Sequence, residues 1–279
     1  LAAEAGFRDK SLTSRDGTRL HARIWPVDQP RAWLAIAHGL GEHSGRYERL
    51  ARAMSGYRIG CCAVDLRGMG RSEGRRGHLE RWQQWVDDYA CFYQTVLEEA
   101  GGTEVVPLGH SFGGLVVVSA VLSGAVDPSR FVLSNPAFRA AVEVPGWKLR
   151  LGQAASRVVP ALTMANEVDP ALISRDPSVV EAYRDDPLVH DRISARLFVE
   201  WSAASRQALG RAAEIQLPFL LIVGSDDRLI DPQGAAEFSS RATVEHSTRV
   251  YRGRYHEPFN DLGADEVFAD LARWLERSD

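Results

Sequence analysis

The chain has 279 residues, a formal net charge of −4, and 45% hydrophobic against 25% charged residues. That mixture is an ordinary globule, long enough to bury a sizeable core as one large α/β domain or two small ones. It excludes a basic field for nucleic acid and, with no apolar run near ~20 residues, a membrane-spanning helix.

At the start, Leu1 to Lys10 lack the charged and apolar regions of a signal peptide. The three cysteines, Cys61, Cys62 and Cys91, form no even disulfide framework and no metal spacing. Together these predict a reducing, cytoplasmic setting. Phe7 to Thr13 and Thr18 to Trp25 flank Ser14-Arg15-Asp16-Gly17, which predicts a hairpin with turn chemistry at Asp-Gly. Ala32 to Ala37 is a short continuous apolar run that enters the loop His38-Gly39-Leu40-Gly41. Tyr47, Leu50, Ala51 and Met54 then recur at helical spacing. Ile59 to Val64 reads as a second buried strand. It ends at Asp65-Leu66-Arg67-Gly68-Met69-Gly70-Arg71-Ser72, a loop scaffold in which Asp65 and Arg67 are expected to pair. A long amphipathic helix is predicted from about Arg81 to Ala100.

The next stretch organises the chain. Val105 to Leu108 is apolar, Gly109-His110-Ser111-Phe112-Gly113-Gly114 follows, and a second apolar run begins at Leu115. This is the pattern of a buried strand turning sharply into a helix with Ser111 at the tip and glycines where side chains would collide. A helix starting at about Phe112 brings its unpaired N–H groups and positive dipole end beside the Ser111 hydroxyl. Pro107 jars with a central strand and is read as a local bulge. Phe131 to Leu133 is the next strand, stopped at Asn135-Pro136. From Phe138 to Arg192 prolines and short mixed patterns break the alternation, so residues 138–192 are read as an inserted, mainly helical cap. Ile193 to Ala213 is expected to be a helix returning to a core of residues 1–137 and 193–279. Phe219 to Gly224 and Thr248 to Tyr251 are strands, and Ala264 to Arg277 closes the chain as an amphipathic helix. Strands alternating with helices predict a mostly parallel sheet covered on both faces.

A serine hydroxyl becomes nucleophilic when a histidine takes its proton and a carboxylate orients that histidine. On a sheet of this kind the partners follow in the order serine, acid, histidine, each on a loop after a strand. His246 begins a strand, whereas His256 lies on the loop after it. The loop Gly224-Ser225-Asp226-Asp227-Arg228-Leu229-Ile230-Asp231-Pro232 offers three acids. Asp231 before Pro232 reads as a helix N-cap, and physics alone leaves Asp226 and Asp227 open. The Leu40 and Phe112 N–H groups are the expected oxyanion donors.

These residues together resemble the α/β-hydrolase superfamily, and within it the monoacylglycerol lipase and lysophospholipase group, over nearly the whole chain. The likeness is carried by the stretch from His38 to Tyr47, the Asp65–Ser72 loop, Gly109–Gly114, Gly224–Asp231 and Tyr255-His256-Glu257. In the cap it is carried by Asp169-Pro170, Ser174–Pro177, Tyr183 and Asp186–Leu188. The resemblance implies the α/β-hydrolase fold, the acid before Arg228 (Asp227) as triad member, and Glu42, Arg46 and His110 around the polar head of an acylglycerol. It implies ester hydrolysis with no metal or organic cofactor, on a small lipid or ester, with the cap supplying an apolar acyl tunnel. Contact of the cap's Trp147–Met164 face with a lipid surface is a further expectation. Lysophospholipase, general carboxylesterase and peptidase or amide hydrolase activities remain alternatives. A non-catalytic binding protein is the remote one, since Ser111, Asp227 and His256 are all available.

Overall fold

A computed structural model describes residues 6–141, 146–166 and 168–277, without the side chains of residues 146–149 and 151. Its centre is an eight-stranded sheet in the order β1-β2-β4-β3-β5-β6-β9-β10. The hairpin β1 (Arg8–Thr13) and β2 (Arg19–Trp25) forms one edge, and β2 pairs antiparallel with β4 (Ile59–Val64). The rest is parallel: β3 (Ala32–Ala37), β5 (Val105–His110), β6 (Phe131–Ser134), β9 (Phe219–Gly224) and β10 (His246–Tyr251).

The continuous apolar runs are buried on both sides because helices cover both faces. In β9, Leu220 and Ile222 point to a layer formed by α1 (Glu48–Ser55) and α8 (Ala264–Leu275), with Leu50, Met54, Val267 and Leu271 in the contact. The alternate residues Phe219, Leu221 and Val223 point to the opposite layer, where α2 (Gln83–Ala100), α3 (Phe112–Leu122) and α7 (Pro232–Arg241) contribute Trp85, Leu115 and Phe238. Helix α3 has no polar face, as befits a helix buried all round, and its Leu115 to Val118 are fully buried.

Pro107 causes no bulge. The β3–β5 register runs unbroken through Ala35↔Pro107. Trp33 N–H donates to the Glu104 carbonyl, and in a parallel ladder this alternation turns Pro107 toward β6. That strand begins at Phe131, and its register with β5 starts at Leu108↔Val132. The missing N–H therefore falls where β6 has only begun, a position that tolerates proline.

Between β6 and β9 the chain leaves the sheet. It forms α4 (Gly146–Val158), β7 (Thr163–Ala165), a short turn of helix at Pro170–Leu172, α5 (Pro177–Asp185), β8 (Arg192–Ser194) and α6 (Ala195–Gly210). The helix expected from Ile193 is shorter at both ends. Ile193 pairs with Met164 in the β7–β8 ribbon, and Ser194 caps α6 by accepting from the Leu197 N–H. The apolar cap face expected over Trp147–Met164 lies partly outside the described residues, since the side chains of Trp147, Leu149 and Leu151 are not described. Within the described part, Val158, Val159, Leu162 and Met164 are exposed.

Candidate active site

Strand β5 and helix α3 meet at Ser111, whose backbone has φ 52° and ψ −120°. A non-glycine residue in such a region costs roughly 1–3 kcal/mol and persists only where its surroundings fix it. Here Ser111 N–H donates to the Ser134 carbonyl and the Ser111 carbonyl accepts from Ala137 N–H, both at 2.9 Å. A side chain on Gly113 would run into the carbonyl oxygens of Ala37 and His38, and one on Gly109 into the backbone of Gly113 and Gly114. The glycine spacing thus reflects how closely α3 is pressed against the ends of β3 and β5. Phe112 heads α3, so its N–H has no carbonyl behind it in the helix. Its ring packs 5.0 Å from Trp201 of α6, and the Trp201 indole donates to the Ala137 carbonyl at 2.8 Å.

The candidate base and acid come from loops at the same end of the sheet. His256 Nδ1 lies 2.7 Å from Asp227 Oδ2, and both residues are buried. Asp227 Oδ1 accepts from the Leu229 and Ile230 N–H groups at 2.9 and 3.0 Å. This fixes the carboxylate and leaves one oxygen for the imidazole. Asp231 is instead the N-cap of α7, accepting from Gln233 N–H at 2.9 Å. Asp226 accepts from the Ser225 hydroxyl at 2.7 Å. Of the three acids, then, Asp227 is the one brought to His256. His246 is occupied elsewhere, stacked on Phe219 and bonded to Ser239. Burial disfavours the imidazolium of His256, yet the charge and hydrogen bond of Asp227 outweigh it and raise the pKa above the ordinary 6.5. The His256 ring sits 4.8 Å from that of His110, the residue before Ser111. Among the described residues no hydrogen bond joins Ser111 Oγ to His256 Nε2, a contact that commonly tightens only with substrate bound.

The loop after β3 closes over the serine. His38 is fully buried, its Nδ1 bonded to the Gly39 carbonyl at 2.7 Å and its Nε2 to the Leu66 N–H at 3.0 Å. Burial lowers its pKa to about 4, so it braces the loop as a neutral ring. A Cβ on Gly39 would meet the Glu42 carboxyl and come within 3.1 Å of Ser111 Cβ. This brings Leu40, the next residue, to the serine's side. Below it, the expected Asp65–Arg67 pair does not form. Asp65 accepts from the Ser44 and Arg71 N–H groups, whereas Arg67 reaches Asp88 and Asp16.

Glu42, Arg46 and His110 are brought together, joined by one residue that sequence reasoning gave no role: Glu257. Arg46 Nη2 is 2.5 Å from Glu257 Oε2, whereas its Nε stands 4.0 Å from Glu42 Oε2. Glu257 also accepts from the Asn260 amide at 2.9 Å. His110 Nε2 lies 3.7 Å from Glu42 Oε1. Tyr183 of α5 covers the Arg46 guanidinium, 4.7 Å from the ring centre. The side chains of all four polar residues are buried, and Arg46 Nε and His110 Nε2 have no hydrogen-bond partner. Burial, reinforced by the Glu257 charge, pushes the Glu42 carboxyl up to about 8. Burial and the nearby His256 charge push His110 well below the ordinary histidine range. Arg46 stays charged despite burial, since Glu257 and Glu42 hold its pKa above normal. The adjacency of Glu257 to His256 was the only sequence signal for its place here; its contact with Arg46 spans more than two hundred residues.

A separate open depression of about 660 Å³ lies on α5, lined by Ser174, Arg175, Val180, Arg184 and Tyr255 among others, and none of Ser111, Asp227 and His256 borders it. No cluster of three or more His, Cys, Asp or Glu able to hold a metal occurs among the described residues.

Comparison with known proteins gives a consistent picture. A family model described as serine aminopeptidase, S33, matches residues 28–263. A monoacylglycerol lipase of Mycolicibacterium smegmatis is 31% identical, over 96% of each chain. An abhydrolase domain-containing protein of Dictyostelium discoideum is 32% identical over 95% of this chain, which spans only 28% of that protein's length. Among solved structures, a monoacylglycerol lipase of Paleococcus ferrophilus superposes with a TM-score of 0.81 and 31% identity, covering 97% of this chain and 98% of that one.

Proposed function

Since this chain belongs to the serine aminopeptidase S33 family of α/β-hydrolases, we propose that it hydrolyses monoacylglycerols to fatty acid and glycerol through an acyl-enzyme on Ser111. The carrying observation is a strained Ser111 and a buried His256–Asp227 pair beside a polar chamber of Glu42, Arg46, His110 and Glu257. The monoacylglycerol lipases to which the chain is 31% identical support the substrate class.

In this reading Ser111 Oγ attacks the acyl carbonyl as His256 Nε2 takes its proton. Asp227 holds Nδ1–H and stabilises the imidazolium. The Leu40 and Phe112 N–H groups receive the oxyanion, aided by the positive end of α3. His256 then protonates the departing glycerol oxygen, and water, deprotonated by the same ring, releases the fatty acid. No step calls for a metal or organic cofactor. Residues 138–192 act as the cap on a core of 1–137 and 193–279, and Phe198 and Trp201 with Leu40 and Phe112 offer an apolar wall for the acyl chain.

The chamber favours an uncharged alcohol. Arg46 is neutralised by Glu257, and Glu42 is held protonated near neutral pH, so the buried charges nearly cancel. Glycerol hydroxyls both donate and accept, and they can serve the Glu42 carboxyl and the unpartnered Arg46 Nε and His110 Nε2. A phosphate would have to compete with Glu257 for Arg46. The free amine of an aminopeptidase substrate needs an available carboxylate, and neither glutamate is one. Contact with a lipid surface through Val158, Val159, Leu162 and Met164 completes the reading. It predicts that Leu162→Asp weakens co-sedimentation with phosphatidylcholine vesicles.

The deciding assay compares kcat/KM for a monoacylglycerol and a lysophosphatidylcholine of equal chain length, with an aminoacyl arylamide as third substrate. The monoacylglycerol should be preferred. Equal or faster lysophosphatidylcholine turnover would overturn the head-group reading, and preferred cleavage of the arylamide would overturn the ester reading.

A further inference from the structure

Asn135 lies at the C-terminal end of β6 and is one of four non-glycine residues with positive φ among the described residues, at 39°. Ser111 is another. Asparagine tolerates this conformation better than most residues, but the position is occupied for more than a turn. The Asn135 side chain is buried and all its hydrogen-bonding groups are engaged. Its Oδ1 accepts from Gly224 N–H at 2.8 Å. Its Nδ2 donates to the His256 carbonyl at 2.7 Å and the Tyr255 carbonyl at 3.2 Å. Its own N–H donates to the Ile222 carbonyl at 2.9 Å.

Those partners belong to two loops. Gly224 ends β9 and opens the loop that carries Asp227, and Tyr255-His256 carries the base. The loops nearly touch here, since a Cβ on Gly224 would run into the Arg254 and Tyr255 carbonyl oxygens. An N–H on one loop faces two carbonyls on the other. Only a side chain with one acceptor and two donors on a single plane satisfies both at once, and a carboxamide is that group. The preceding residue completes the link, because the Ser134 carbonyl accepts from Ser111 N–H. The Ser134-Asn135 pair therefore touches the loops of nucleophile, acid and base together.

We propose that Asn135 is a positioning residue for the triad. It sets the separation of the acid and base loops, so that the His256 Nδ1–Asp227 bond is formed before substrate arrives. This rests on the reading of Ser111, His256 and Asp227 as the hydrolytic triad. A purely structural asparagine would lower the yield of folded protein without changing the chemistry of the folded fraction, and that difference is measurable.

The test uses the full chain with two substitutions. Asn135→Gly keeps the backbone conformation free of strain and removes the amide. Asn135→Asp keeps the acceptor toward Gly224 but turns an acceptor toward the His256 and Tyr255 carbonyls. Active sites are counted with a serine-directed fluorophosphonate, so that kcat refers to the competent fraction only. Both variants should lose roughly 10- to 100-fold in kcat per titrated site, with KM changed far less. The acid limb of kcat/KM should move to lower pH as Asp227 loses its hold on the imidazolium, and the downfield proton resonance of His256 Nδ1–H should broaden or vanish. If Asn135→Asp does not fold, Asn135→Gly decides alone. A kcat per titrated site within about twofold of wild type, with an unmoved acid limb, would overturn the proposal. Failure of the triad reading looks different: wild-type protein would not react with the fluorophosphonate at Ser111 at all.

Discussion

Replacing Asp227 by asparagine isolates what its carboxylate does, because the structure predicts how an isosteric amide would sit. Oδ1 accepts from the Leu229 and Ile230 N–H groups at 2.9 and 3.0 Å. Two donors facing one atom leave an amide a single acceptable orientation, with its oxygen toward them and its NH2 toward His256. At 2.7 Å from Nδ1, that NH2 forces the ring nitrogen to accept. The imidazole must then carry its proton on Nε2, the nitrogen that should take the Ser111 proton. The wrong tautomer costs about 10⁴-fold in kcat, a loss of ~5.5 kcal/mol of transition-state stabilisation. The fold should survive, since the two backbone donors keep their acceptor. By contrast, Asp227→Ala leaves both donors unpaired, and the buried Ile230 N–H alone costs about 1–3 kcal/mol. The assay is steady-state hydrolysis of a monoacylglycerol by Asp227→Asn, Asp226→Asn and Asp231→Asn, with thermal unfolding in parallel. Asp226→Asn should remain close to wild type, and Asp231→Asn too, since asparagine caps a helix as well as aspartate does. An Asp227→Asn enzyme retaining a tenth of wild-type kcat would refute the tautomer argument.

Other outcomes follow from the same contacts. Because His256 must be neutral to accept a proton and its pKa is raised, kcat/KM should fall as pH drops through a value above 6.5, and Asp227→Asn should shift that limb downward. The Glu42 carboxyl ionises near pH 8 in the folded chain, against 4.5 ordinarily. Between those values only the unfolded chain releases the proton, so Glu42 costs stability that grows as pH rises. Glu42→Gln should therefore raise Tm at pH 8 by at least about 3 °C and change it little at pH 4.5; a Tm lowered at pH 8 would contradict the assignment. Glu257→Gln removes the partner of Arg46 and a charge that helps keep Glu42 protonated, so KM for monoacylglycerol should rise while Ser111 keeps its nucleophilicity, as fluorophosphonate labelling would report. Gly113→Ala should cost at least about 3 kcal/mol or abolish folding, because its methyl group meets the Ala37 and His38 carbonyls, which are backbone and cannot rotate away; urea unfolding measures it.

The layers were legible because burial on both faces of a parallel sheet writes uninterrupted apolar runs, as in Ala32–Ala37 and Phe219–Val223. The elbow was legible because close packing admits only glycine at 109 and 113. Asp231 could be recognised as a cap from Pro232 alone, since capping is decided within one turn of chain. What escaped was long-range or directional. The Arg46–Glu257 pair joins ends of the chain that only the fold brings together, so the sequence did not point to Glu257 as the partner of Arg46. Asp65 and Arg67 looked like partners because they are neighbours, yet Asp65 takes the Ser44 and Arg71 N–H groups while Arg67 reaches Asp88 and Asp16. Asn135 looked like a strand terminator, and neither of the loops it bonds lies near it in sequence. Pro107 looked like a defect because the sequence does not say which edge of the strand it faces, or where along it the pairing with β6 starts.

The central claim is that Ser111 is the nucleophile of a monoacylglycerol hydrolase. The most direct measurement is the release of fatty acid from a monoacylglycerol by wild-type protein and Ser111→Ala side by side, with circular dichroism to verify that the variant is folded. Wild type should turn over. Ser111→Ala should keep at most the residual 10³–10⁴-fold over water that binding and oxyanion contacts provide. A folded Ser111→Ala protein that releases fatty acid at a substantial fraction of the wild-type rate would contradict the account.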